Sequence, residues 1–202
     1  MMKKIGIIGG TFDPVHYGHL ILAEQARVEA SLDRVIFMPA MVQPFKLNAK
    51  IADGDHRYAM LLEAVNGNPY FSVSRRELDS SEISYTINTL QGCKEEYGSD
   101  TELYFIIGTD AFLNLEKWYA AEELMANFCF IIGTRPGYKE QELKRMLERI
   151  RENFGTKVIE INNSEVEISS TDIKNRIRDG KSAKYLLPDG VEEYIYKNKL
   201  YL

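Results

Sequence analysis

The chain has 202 residues, of which 45% are hydrophobic and 27% charged, and it carries a net charge of −5. That length suits one domain with a sizeable core, and the composition is that of a soluble globular protein. The acidic balance argues against a general nucleic-acid binder, which is usually basic, and no apolar run approaches the length of a membrane-spanning helix.

Strand and helix patterns alternate along the chain. Met1-Met2-Lys3-Lys4 leads straight into a first expected strand at Lys4–Ile8, an apolar run too short for a signal peptide. A helix is expected at Gly18–Ala30 and a strand at Arg34–Met38. Met41–Gly54 is the longest stretch without a pattern and reads as a substrate loop. Beyond it come a helix at Asp55–Val65, a strand at Phe71–Ser74, a helix at Tyr85–Tyr97 and a strand at Leu103–Ile107. The series continues with a helix at Ala120–Ala126, a strand at Phe128–Ile132, a helix at Lys139–Asn153 and a strand at Val158–Ile161. Two helices, Thr171–Asp179 and Gly190–Asn198, complete it. Several strands are apolar on consecutive residues, which suits a parallel sheet covered on both faces. The expected fold is α/β: a Rossmann-like, doubly wound, mostly parallel sheet with helices on both faces, as one domain over 1–202. Ligands bind such sheets at the C-terminal strand ends, near the switch in strand order.

The segment Gly9-Gly10-Thr11-Phe12-Asp13-Pro14-Val15-His16-Tyr17-Gly18-His19 joins the first strand to the first helix. A glycine-rich turn at a helix N-terminus suits phosphate, because backbone N–H groups point outward and the helix dipole favours anions. His16 and His19 are three residues apart and share one helix face, where two imidazoles can donate to charge developing on a phosphate. The turn could also be an ordinary strand-to-helix connection. His-x-x-His is a metal-pair spacing as well, but no cysteine or carboxylate stands nearby at ligand spacing. Neither Gly-x-Gly-x-x-Gly nor Gly-Lys-Ser/Thr is present. Ser169-Ser170-Thr171 precede a second helix, as an N-cap, a second phosphate-binding N-terminus, or both. His56, in Asp55-His56-Arg57-Tyr58, reads as a surface residue. Cys93 and Cys129 lie in apolar surroundings and read as core thiols in a reducing, cytoplasmic setting.

Gly9 through His19 resembles the signature of the nucleotidyltransferases that carry His-x-Gly-His, and within them the bacterial nicotinate mononucleotide adenylyltransferases. A second signature, Ile168-Ser169-Ser170-Thr171-Asp172-Ile173-Lys174-Asn175-Arg176-Ile177, strengthens the resemblance, as does the tail from Gly180 to Pro188. The resemblance implies AMP transfer from ATP to nicotinate mononucleotide, with release of pyrophosphate, in NAD biosynthesis. It implies Mg²⁺ bound with ATP, and neither nucleic acid nor membrane as partner. The attacking phosphate oxygen is already anionic, so positioning and charge stabilisation suffice.

By the same resemblance His16 and His19 act on the ATP phosphates, and Gly9, Gly10, Thr11, Phe12, Gly108, Asp110, Ser169, Ser170, Thr171 and Lys174 complete the ATP site. Lys174 stands where the family usually has Arg, which keeps the charge and loses the bidentate fork. Lys46 matches a family lysine that reaches the phosphates, next to Phe45 where histidine is frequent. Tyr85 and Thr86 would bind the nicotinate carboxylate through backbone N–H groups, Trp118 would stack on the pyridine ring, and Arg135 would neutralise the mononucleotide phosphate. Related enzymes with another acceptor (nicotinamide mononucleotide, phosphopantetheine or glycerol phosphate) and a nucleotide sensor without turnover are the alternatives. Tyr194, Tyr196, Leu200 and Tyr201 are either a homodimer contact or packing on the domain.

Overall fold

The structure, a computed structural model, describes residues 2–41, 51–80, 83–134, 137–162 and 166–202. Its centre is one sheet of six strands: β1 (Lys3–Gly10), β2 (Arg34–Pro39), β3 (Phe71–Val73), β4 (Thr101–Gly108), β5 (Cys129–Thr134) and β6 (Val158–Asn162). They lie in the order β3-β2-β1-β4-β5-β6, and every pairing is parallel. The expectation of a mostly parallel sheet is met throughout. Chain order reverses between β1 and β4, where Ile5 pairs with Leu103 and Ile7 with Phe105.

Apolar residues at successive strand positions serve two separate cores, because alternate side chains leave a strand on opposite faces. Ile5, Ile7, Leu103, Phe105 and Ile107 face one layer, built by α3 (Thr86–Tyr97), α5 (Ala121–Asn127) and α6 (Glu140–Phe154). Ile8, Tyr104 and Ile106 face the other, built by α1 (Tyr17–Glu29), α2 (Gly54–Val65), α7 (Ser170–Arg178) and α8 (Asp189–Lys197). Covering both faces is what lets parallel strands be apolar at every position.

The stretch after β4 departs from expectation. A short helix, α4 (Thr109–Phe112), and a 3₁₀ turn at Leu115–Lys117 fill it. Both are too short to show a period, and both are fixed by burial of Phe112 and Leu115. Among the residues at the end of the chain, Tyr194, Leu200 and Tyr201 pack on the second core, and Tyr196 remains 44% exposed. Packing on the domain thus accounts for three of the four. His56 corrects the surface reading: it is half-buried, and its Nδ1 lies 3.0 Å from the Tyr194 hydroxyl, between α2 and α8. Cys93 is buried and Cys129 half-buried; both thiols are free. Burial pushes the Cys93 thiol up to about 11. Among the described residues no helix is long and apolar enough to cross a membrane.

Gly6, in the middle of β1, sets how closely α1's layer approaches the sheet. A Cβ there would sit 2.7 Å from Leu32 Cδ1 and 2.8 Å from Ile106 Cδ1. Gly6→Ala is therefore expected to destabilise by about 1–3 kcal/mol through overpacking. A lower urea midpoint with an unchanged m-value would be the signature, and an unchanged midpoint would count against this tight contact.

Candidate active site

β1 delivers its glycine turn to the C-terminal edge of the sheet, at the reversal in strand order. There the start of α1 and the ends of β4 and β5 open a cleft of about 250 Å³, while Gly9, Gly10, Thr11 and Phe12 lie outside its lining and Thr11 and Phe12 are buried. His16, Gly18 and His19 line one side; Gly108, Thr109, Asp110, Gly133 and Tyr138 line the other. At Gly10 the Phe12 ring packs close against the backbone, 3.1 Å from where a Cβ would stand. At Gly108 an added Cβ would meet nothing within 4 Å, so its backbone is open to a ligand. A larger groove of about 500 Å³ runs along α6 and β6, but it contains neither the glycine turn nor the histidines.

The two histidines start α1. His16 is its N-cap, and the His19 Nδ1 accepts the His16 backbone N–H at 3.3 Å. In a neutral His19 ring the proton must then reside on Nε2, which becomes the donor. The rings stack with centroids 3.8 Å apart, and Phe12 meets His19 edge-on at 5.0 Å. His16 is 7% exposed, and its Nδ1 is buried with no hydrogen-bond partner among the described residues. Burial pulls its pKa down to about 4, so the ring is neutral at pH 7. Gly18 sits against this ring: a Cβ there would be 3.0 Å from Nδ1.

A second helix N-terminus meets the first. Ser169 caps α7 by accepting the Asp172 N–H at 3.1 Å, and the Ser170 hydroxyl donates to the Pro14 carbonyl at 2.8 Å. Thr171 is exposed at the same end. Lys174, one turn further on, donates to the Asp13 carboxylate at 2.6 Å. Its charge is thus spent on the turn, and Arg176 instead pairs with Asp172 on its own helix.

Asp13 is 3% exposed. Besides Lys174 it receives the Tyr201 hydroxyl at 2.6 Å and the Ala52 N–H at 3.1 Å. Beside it Arg57, also 3% exposed, donates to the carbonyls of Thr11, Ala40 and Ala52 at 2.7–2.9 Å. Burial pulls the Arg57 guanidinium below its ordinary value, and the Asp13 charge opposes that shift. Reading the sequence for function passes over Arg57 and Tyr201. Arg57 did leave a signal: it falls on the buried stripe of α2 with Met60, Leu61 and Val65, where a cation must find partners.

Across the cleft, Asp110 accepts from the Tyr138 hydroxyl and from Lys139 Nζ, each at 2.8 Å. The Thr109 hydroxyl is held by the Gly133 carbonyl at 2.9 Å. Tyr85 caps α3 and Thr86 begins it; the Tyr85 N–H donates to the Ile83 carbonyl at 2.8 Å. Tyr119 lies over Tyr85 with ring centroids 4.4 Å apart. Trp118 is half-buried and meets Phe105 edge-on at 6.1 Å. Lys46, with Phe45, and Arg135 lie outside the described residues. Among the described residues no group of three or more His, Cys, Asp or Glu side chains could hold a metal ion. A hard cation such as Mg²⁺ needs oxygen ligands, and Asp110, the carboxylate lining this cleft, is already bound by Tyr138 and Lys139. The donor set does not fit a resident Mg²⁺ held by the protein.

The buried neutral His16 ties stability to pH. Its folded pKa of about 4 lies below the unfolded value, so the unfolded chain takes up the proton first as pH falls. Stability is full above about 6.5 and is lost as pH drops towards 4, by on the order of 1–2 kcal/mol at pH 5 for this one group. Urea unfolding at pH 7.5 and 5.0 should show His16→Gln losing less stability than the wild type over that interval. An equal loss would mean that His16 is not buried as described.

Residues 7–176 match the family model described as cytidylyltransferase-like. A Thermoanaerobacter sp. (strain X514) protein named "Probable nicotinate-nucleotide adenylyltransferase" is 45% identical over 98% of this chain and 94% of its own length. A Moorella thermoacetica protein of the same name is 43% identical over 98% of this chain and 91% of its own. Two structures of Plasmodium falciparum nicotinic acid mononucleotide adenylyltransferase, complexed with APC and with NaAD, share the fold with TM-scores of 0.78 and 0.79. Each is 23% identical and covers 98% of this chain and 97% of its own. With most of its length matched by the family model, and relatives of this identity along nearly all of it, the chain belongs to the cytidylyltransferase-like family, among the nicotinate-nucleotide adenylyltransferases.

Proposed function

We propose that the protein transfers AMP from ATP to nicotinate mononucleotide, forming nicotinate adenine dinucleotide and pyrophosphate, as a step in NAD biosynthesis. The observation that carries this reading is the stacked His16–His19 pair on the glycine turn, at the cleft where strand order reverses. Mg²⁺ enters as part of the MgATP substrate. The free Cys93 and Cys129 thiols support a reducing, cytoplasmic setting.

An oxygen of the mononucleotide phosphate attacks the ATP α-phosphorus in line. One P–O bond forms, the bond to pyrophosphate breaks, and its electron pair leaves with the pyrophosphate. No proton has to be removed from the nucleophile, so the protein's work is alignment and charge stabilisation. His19, with its proton on Nε2, donates to the phosphate oxygens, and His16 braces the same face. The N-termini of α1 and α7 add backbone N–H groups, with Gly9, Gly10, Thr11, Phe12 and Ser169 to Thr171 shaping the cradle. Lys174 acts through Asp13, keeping that cradle closed. Gly108 leaves room for the nucleotide, and Asp110, oriented by Tyr138 and Lys139, accepts from a ribose hydroxyl. On the acceptor side the Tyr85 N–H is engaged by Ile83, so the carboxylate of nicotinate falls to the Thr86 N–H. Trp118 offers its ring to the pyridine, while Lys46 and Arg135 supply charge for the phosphates.

Pyrophosphate release with MgATP should be much faster with nicotinate mononucleotide than with nicotinamide mononucleotide, because only the acid offers an anion to the α3 N-terminus. Equal rates would remove that specificity argument, and no release with either would overturn the proposal. His19→Ala should lower turnover by roughly 10²–10³-fold with folding retained, the scale of one lost oxyanion donor. Gly18→Ala should lower turnover about tenfold, since its Cβ displaces the His16 ring, and should cost less than about 1 kcal/mol of stability because alanine favours the helix. Wild-type turnover in either variant would sink the role given to that histidine.

A further inference from the structure

Tyr201 lies beyond α8 in the left-handed region of backbone space, with φ of 64°. Its ring packs on the second core, and the Lys174 ammonium lies 5.8 Å from the ring centroid. Its hydroxyl reaches Asp13 across 188 residues of sequence and donates to Oδ1 at 2.6 Å. The same oxygen takes the Ala52 N–H, and Oδ2 takes Lys174. Burial and the neighbouring carboxylate push the Tyr201 phenol well above its ordinary value, so it stays protonated and remains a donor. Asp13 lies three residues before His16, and the carbonyl of the residue after it receives Ser170 from α7. A donor fixed on Asp13 therefore fixes both helix N-termini at the cleft.

We propose that Tyr201 is a positioning residue for the reaction, holding the Asp13 carboxylate so that the Gly9–His19 turn and the α7 N-terminus keep their mutual alignment. It touches no reacting atom and acts through Asp13. Without its hydroxyl, Oδ1 keeps the Ala52 N–H among the described residues, and the carboxylate is held by one donor on each oxygen. A misplacement far from the chemistry acts on turnover because alignment is what this site supplies. The consequence for turnover rests on the adenylyltransferase reading; the positioning itself does not.

The test is Tyr201→Phe, which keeps the ring and removes one hydroxyl, set beside Tyr194→Phe. The control removes a hydroxyl of similar setting, the one facing His56, away from Asp13. Hydrogen exchange without ligand should show Y201F exchanging at least threefold faster in peptides covering Gly9–His19 and Ser169–Lys174, and Y194F unchanged there. In steady state with MgATP and nicotinate mononucleotide, Y201F should lose about three- to tenfold in kcat with KM for the acceptor within twofold, while Y194F keeps the wild-type kcat. Unchanged exchange in those peptides overturns the positioning, whether or not the wild type turns over. Faster exchange with an unaltered kcat in an active wild type overturns the link to the reaction. Equal losses in both variants, tracking their melting temperatures, show a merely structural tyrosine and overturn it too. A wild type that releases no pyrophosphate defeats the adenylyltransferase reading alone, and the exchange result then decides the positioning.

Discussion

A carboxylate that is 3% exposed must be matched on every side, and the architecture around Asp13 follows from that demand. Its partners come from the segment leading into α2, from α7 and from the segment after α8. Arg57 completes the arrangement from α2 by gathering three carbonyls that close the ends of β1 and β2 and the entry to α2. One buried anion thus draws four parts of the chain to the mouth of the sheet. The sheet supplies the edge, and this ionic cluster ties the segments that meet there to one another.

The cluster also explains how an acidic protein manages an anionic ligand. Lys174 is paired with Asp13 and Lys139 with Asp110, so these two lysines serve geometry first. Among the described residues, what remains for an anion at the cleft is groups that carry no full charge: two helix N-termini and the His19 Nε2. Such donors are fixed before the ligand arrives and need no reorganisation as charge moves between phosphates. The low pKa of His16 has the same origin, since a ring enclosed between Gly18 and His19 has little access to water.

Most of the fold was legible because consecutive apolar strands and amphipathic helices leave strong periods, and alternation of the two leaves few topologies. The six strands and seven longer helices lie within a few residues of their expected places. The helical turns after β4 were not legible, since four residues cannot display a period. At the site, the glycine turn, the histidine pair and the serine cap announced themselves locally, through residue type and spacing. Lys174 was legible as a cation but not as Asp13's partner, because that contact spans 161 residues. Tyr201 was visible only as an apolar side chain, and its hydroxyl gained meaning once the sheet brought Asp13 beneath it. His56 reads as surface when α2 is taken alone, and is half-buried because α8 covers it. What escapes a reading of the sequence is the pairing of polar groups between distant segments, which no local pattern encodes.

The 188 residues between Asp13 and Tyr201 have a further consequence in the order of synthesis. The glycine turn is made well before one of the donors that satisfies its carboxylate, since Tyr201 follows every strand and helix described here. A nascent chain can assemble the sheet and still hold Asp13 short of a partner. Loop closure over so long an interval comes late in folding. The Gly9–His19 turn therefore takes its final form once Tyr201 has joined Asp13, after the sheet itself is in place.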